Sequence, residues 1–95
     1  MTRFEAALVY VQLWTERHPE LKDRLERAVF MLKKVEKTAC PDVYVVRSDS
    51  NIRIKYVVRI YREERTSTCS CHDSQKGHHC KHRLAVALYE KTQNR

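Results

Sequence analysis

The residues most able to do chemistry are Cys69-Ser70-Cys71 and Cys80-Lys81-His82. Their spacing is C-x-C, eight intervening residues, then C-x-H. Three thiols and an imidazole form a ligand set for one tetrahedral Zn²⁺, which takes thiolate sulfur at ~2.3 Å and imidazole nitrogen at ~2.0 Å. Four protein ligands close the coordination sphere, so such a zinc is structural and leaves no position for a substrate. His72, His78 and His79 are alternative nitrogen donors. His82 is preferred because it completes the second pair and leads directly into a helical pattern. A disulfide reading is weaker: a bridge between Cys69 and Cys71 would be strained, and nothing marks the chain for secretion. Cys40 stands apart, before Pro41, and is expected to be a small buried hydrophobe.

The elements that must position these ligands follow from periodicity. Thr2 and Glu5 have the spacing of a capping box, and a first helix is expected to run to about Arg17. Phe4, Ala7, Leu8, Val11 and Trp14 keep a helical period, while Val9, Tyr10 and Leu13 widen the apolar arc. That breadth suits a central core helix, with half of a dimer interface as the other reading. His18-Pro19-Glu20 opens a second helix, proline taking the first helical position. Its seam of Leu21, Leu25, Ala28, Leu32 and Val35 is expected to pack antiparallel on the first helix. Lys33, Lys34 and Lys37 lie near its end, where cations complement the dipole.

The period then changes to two. Val43 to Arg47 reads as a strand, Ser48-Asp49-Ser50-Asn51 as a turn, and Ile52 to Tyr61 as a long strand. Ile52, Ile54, Tyr56, Val58 and Ile60 share the inward face; Arg53, Lys55, Val57, Arg59 and Tyr61 share the other. Thr66 to Cys71 is a third strand and carries the first ligand pair. As i and i+2 on a strand, Cys69 and Cys71 point to the same side. Gly77 lies in the loop between the pairs, and Leu84, Ala85, Leu88 and Tyr89 mark the inner rows of a third helix. The expectation is one α+β domain over residues 1–95. A helical hairpin (1–39) packs on a small antiparallel sheet of about three strands, followed by a zinc-stapled helix (module 43–91).

The stretch from Cys69 to Asp73, with Cys80 to Leu88, resembles the SWIM zinc finger, whose pattern is C-x-C, a variable loop, then C-x-H. The resemblance implies a first pair at the end of a β-hairpin and a second at the start of a helix. It makes Cys69, Cys71, Cys80 and His82 the ligands. Asp73 matches an acidic position of the family, and Leu84, Ala85 and Val86 its apolar helix start. His72 replaces the family's usual proline and Ser74 its usual aromatic residue. The family occurs in chromatin remodellers, transposases, recombination accessory proteins and some ubiquitin-pathway proteins, so the resemblance implies binding to DNA or to protein.

Composition bounds the rest. With 95 residues, 42% hydrophobic and 33% charged, the chain is too apolar and too patterned for disorder. No apolar run approaches a membrane span, and the N-terminal stretch lacks the basic start of a signal peptide. The expected setting is intracellular, with no membrane partner and no small-molecule substrate. The formal charge of +7 falls to about +6 once three thiolates hold a zinc. A basic small domain fits a polyanionic partner. DNA is favoured, with RNA the other candidate, held through phosphates by Arg53, Lys55, Arg59 and Tyr61 and by a rim of Lys76, Lys81 and Arg83. The protein would then be a regulator or an accessory factor in recombination or replication. A second expectation is an adaptor or homodimer that presents Tyr10, Leu13 or Trp14 from the first two helices. Paired carboxylates, a nucleophile elbow and a phosphate loop are lacking, so no enzymatic activity is expected.

Overall fold

The computed structural model describes residues 2–48, 53–71 and 80–93. Helix α1 spans Arg3–Arg17 and starts on the expected capping box. Thr2 Oγ1 accepts from the Glu5 backbone N–H at 3.1 Å, and the Thr2 N–H donates back to Glu5 Oε1 at 3.4 Å. A 3₁₀ turn, Pro19–Leu21, leads into α2, Lys22–Met31. Strands β1 (Val35–Lys37), β2 (Val43–Arg47), β3 (Lys55–Tyr61) and β4 (Thr66–Cys69) follow, and α3 (Lys81–Thr92) closes the chain. The sheet is antiparallel throughout, in the order β1-β2-β3-β4.

The α+β architecture is as expected, but the sheet has four strands where about three were expected. The added strand comes from the end of the second-helix pattern. After Met31 the backbone tightens into a 3₁₀ turn, Leu32–Lys34, and extends at Val35. Lys33 and Lys34 therefore sit in that turn and Lys37 in β1, not at a helix end. A buried β-branched residue satisfies a helical seam and an inward strand position equally well, so Val35 could not separate the two from spacing. The third strand stops at Cys69, and Ser70 and Cys71 form a bend beyond it. Expectations resting on Ile52 and on Asp49, Ser50 and Asn51 of the turn lie outside the described residues.

The core belongs to α3, not to α1. Leu84, Ala85, Val86 and Leu88 of α3 are buried against Leu25, Ala28, Val29 and Met31 of α2 and Tyr44, Val46 and Val58 of the sheet. From α1 only Ala6, Ala7 and Val11 are buried, while Phe4, Leu8, Val9 and Leu13 remain exposed. Small residues let α1 lie close to the core, with Tyr10 and Trp14 packed half-buried beside them and the rest of the broad apolar arc left at the surface. Cys40, expected inside, is exposed.

Polar contacts tie α3 to the sheet. The Tyr44 hydroxyl donates to Glu90 Oε2 at 3.0 Å, and Arg62 bridges Glu90 and Asp42 at 2.7 and 2.6 Å. Burial, with the adjacent Glu90 carboxylate, pushes the Tyr44 phenol up to about 12. Glu90→Ala strips the buried Tyr44 hydroxyl of its acceptor and should cost about 1–3 kcal/mol, read from the urea midpoint at unchanged slope. The β3–β4 connection turns at Arg62–Arg65, closed by the Arg65 N–H donating to Arg62 O at 3.2 Å. Arg65 has φ 55°, the left-handed region that costs a residue with a Cβ about 1–2 kcal/mol.

Candidate metal centre

Each ligand is delivered by a different local device. Cys69 is the last residue of β4, where its inward face meets Val58 of β3. Cys71 follows after a bend anchored on β3: Ser70 N–H donates to Val57 O at 3.1 Å, and Val57 N–H donates to Ser70 Oγ at 3.0 Å. Cys80 is the N-cap of α3, and His82 lies in its first turn. The four ligand atoms all lie within 4.8 Å of one another, and all four residues are buried. The strand, the bend and the helix start thus converge on one point.

Electrostatics at that point favour a cation. The Cys69 thiol above all, with the His82 ring and the nearby Arg83 backbone N–H, holds the Cys80 thiol well below its usual range. A thiol at a helix N-terminus ionises readily because unpaired backbone N–H groups point at it. Cys69 is pushed the other way, by its hydrogen bond to Cys80 and by burial. One thiolate can form among the sulfurs, while burial and the neighbouring negative charge oppose a second. A divalent cation resolves that conflict by replacing the shared protons. His82 Nδ1 is buried with no hydrogen-bond partner among the described residues, a cost that coordination through that nitrogen would remove.

Sequence reasoning missed the surroundings of the site. The Tyr56 ring packs on the His82 imidazole with centroids 4.4 Å apart and planes tilted by 35°. It holds the imidazole against the sheet, and its signal was its place on the inward face of β3. A cleft of about 520 Å³ opens beside the ligands, lined by Asp23, Arg24 and Arg27 of α2 and by Lys81. Helix α2, outside the ligand pattern in sequence, therefore frames the metal site in space.

The SWIM zinc finger family model matches residues 56–91, from Tyr56 on β3 to Lys91 on α3. That segment is a SWIM zinc finger, and Cys69, Cys71, Cys80 and His82 hold one structural zinc. The chain before Tyr56, including α1, α2, β1 and β2, lies outside the match. Comparison with curated proteins and with solved structures found no match. A bound zinc supplies four-way cross-linking between β4, the bend and α3; the closed ligand set gives it no further chemistry.

The residues expected to contact nucleic acid fall in separate places. Lys55, Arg59 and Tyr61 share the outer face of β3, with Arg53 exposed just before it. Lys81 lines the metal-side cleft, whereas Arg83 donates from Nε to Ser67 Oγ at 3.0 Å and lines a different groove. Two residues apart on a helix project about 200° from each other, so one rim cannot hold both. Lys76 and the alternative donors His72, His78 and His79 lie outside the described residues, as do Asp73, Ser74 and Gly77.

Proposed function

We propose that this zinc-stapled protein binds nucleic acid, most simply DNA, through the outer face of its sheet. The observation that carries the reading is the charge on that face. Among the described residues, Arg47, Lys55 and Arg59 share that face with one strand carboxylate, Glu36, and Arg53 is exposed just before β3. Glu36 pairs with Arg47 at 2.7 Å and Lys55 at 3.7 Å, and the Arg47 hydrogen bond holds its carboxyl below the usual range. One carboxylate cannot neutralise two cations, and Arg59 has no ion-pair partner among the described residues. Exposed Val57 and Tyr61 lie between and beside the cations, where they can pack on sugars or bases. Phosphate contacts of this kind give affinity without a base code.

The test is titration of duplex and single-stranded oligonucleotides with the zinc-loaded chain across salt. Affinity should fall linearly on a log–log plot, by ~0.7–0.9 log unit per phosphate contacted. Arg53→Glu with Arg59→Glu should weaken binding by about tenfold or more and reduce the salt slope by about two, without lowering the melting temperature. Failure to bind either form at low salt would sink the proposal.

A second reading rests on a different surface. Phe30 is 69% exposed and packs against exposed Phe4 with ring centroids 6.1 Å apart and planes tilted by 51°. Leu8 and Leu13 are exposed too, while Tyr10 and Trp14 are half-buried against the core. A protein partner or second copy on α1 and α2 would therefore meet Phe4, Leu8 and Phe30 more than Tyr10 or Trp14. Sedimentation of the wild type against Phe30→Glu separates self-association from a monomer.

A further inference from the structure

The outer side of α2 carries an aromatic ridge between two grooves. Phe30 forms the ridge and packs against Phe4, so the start of α1 meets the end of α2 there. On one side a groove of about 380 Å³ is lined by Phe4, Val29 and Leu32 and edged by Arg3 and Lys33. On the other side a groove of about 370 Å³ is lined by Asp23, Glu26 and Arg27. The Arg3 guanidinium already sits over the Tyr89 ring, 4.2 Å from its centroid, so Lys33 supplies the charge of the first groove. In the second, two carboxylates outweigh one cation.

Glu26, Phe30 and Lys33 are spaced four and three residues apart, which places them within about 60° of one another around the helix. The 3₁₀ turn that holds Lys33 continues α2 without a break, since Leu32 keeps φ −54° and ψ −42°. All three residues are exposed. Neither Glu26 nor Lys33 forms an ion pair among the described residues. Along the axis, Phe30 lies within about 1 Å of the midpoint between them.

An acid one turn before an exposed ring and a cation one turn after it form a self-complementary order. A two-fold axis through Phe30 sets each end against the other with the charges opposed. An unrelated partner could cover the rings, but nothing would require it to carry the reverse order of charge. A second copy carries it by symmetry.

From this arrangement we infer that the Phe4–Phe30 face takes a second copy of the chain, with the two α2 helices antiparallel across a two-fold axis. Each Phe30 enters the Phe4–Val29–Leu32 groove of the other copy, and Glu26 of one copy pairs with Lys33 of the other, twice over. The pairing rests on the second reading proposed above and uses no residue of the outer sheet face. The contact is confined to one end of a helix pair, so the dimer is weak and forms between micromolar and millimolar concentration.

Sedimentation equilibrium of the zinc-loaded chain across that range tests the pairing. A monomer–dimer equilibrium is expected, and Phe30→Glu should hold the chain monomeric throughout. Glu26→Lys and Lys33→Glu should each raise the dissociation constant by about tenfold, because each sets two like-charge pairs across the axis. Mixed in equal amounts, these two variants should recover the wild-type constant, because a mixed dimer again opposes unlike charges at both contacts. All three variants lie at exposed positions and should melt like wild type when diluted to monomer. A wild-type chain that stays monomeric up to millimolar concentration overturns the inference and leaves the second reading to a different partner. Self-association that Phe30→Glu abolishes but mixing does not rescue overturns the two-fold pairing while the surface stands. Self-association that survives Phe30→Glu overturns both the pairing and the reading beneath it.

Discussion

Removing zinc with a chelator is expected to abolish the cooperative thermal transition of this chain, or to lower its midpoint by tens of degrees. The reason is the position of the metal. It joins the end of β4 and the bend at Cys71 to the N-terminus of α3, and α3 is the helix around which the core is built. Zinc binding in comparable small modules is worth roughly 10–16 kcal/mol of apparent free energy at neutral pH. A domain of this size has a total stability of about 5–15 kcal/mol. The metal term therefore matches or exceeds the whole. Cys80→Ser should reproduce the chelated state and bind no zinc, while Cys40→Ser, at an exposed position outside the cluster, should melt like wild type. Acid should act in the same direction as chelation, because thiolates that take up protons release the metal. Circular dichroism melts with and without chelator, and zinc stoichiometry by mass spectrometry, check the result. A chelated chain with an unchanged melting temperature would mean that the zinc is not the staple described here.

The second large effect is expected at Leu88. Its side chain is fully buried on the face of α3 that meets α2 and the sheet. Leu88→Ala removes packed methyl groups and leaves a cavity between helices that the zinc and the Tyr44–Glu90–Arg62 contacts hold in register. The cost should be about 2–5 kcal/mol. Phe30→Ala deletes a larger side chain, yet the ring is largely exposed, and its cost should stay within about 0.5 kcal/mol. Urea unfolding at saturating zinc measures both. Equal losses at the two sites would contradict a core centred on α3 and place α1 and the Phe4–Phe30 surface at the heart of the fold.

How much of this was legible in advance differs from element to element. The capping box at Thr2 and Glu5 is a contact within one turn, so adjacent residues specify it completely. The inward row of Tyr56, Val58 and Ile60 was readable because a strand buried on one face must alternate. The end of α2 was not readable: Val35 fits the helical seam and the β1 edge alike, and only pairing with Val46 decides between them. The importance of α1 was overestimated for a related reason. A broad apolar arc shows that a helix can be buried all round, and the amount of partner surface available is a property of the assembled fold.

By itself the sequence determined the zinc ligands, because Cys69, Cys71, Cys80 and His82 advertise coordination through side-chain type and short spacing. It also determined the order of helix and strand that delivers them. Only the tertiary structure decided which cations share a surface. Lys81 and Arg83 are neighbours in the chain yet face different clefts, while Arg24 and Arg27, more than fifty residues upstream, border the metal. Coordination is a local code, written within a few residues. A surface is the product of packing, and the charges that meet on it are chosen by how α3 lies between α2 and the sheet.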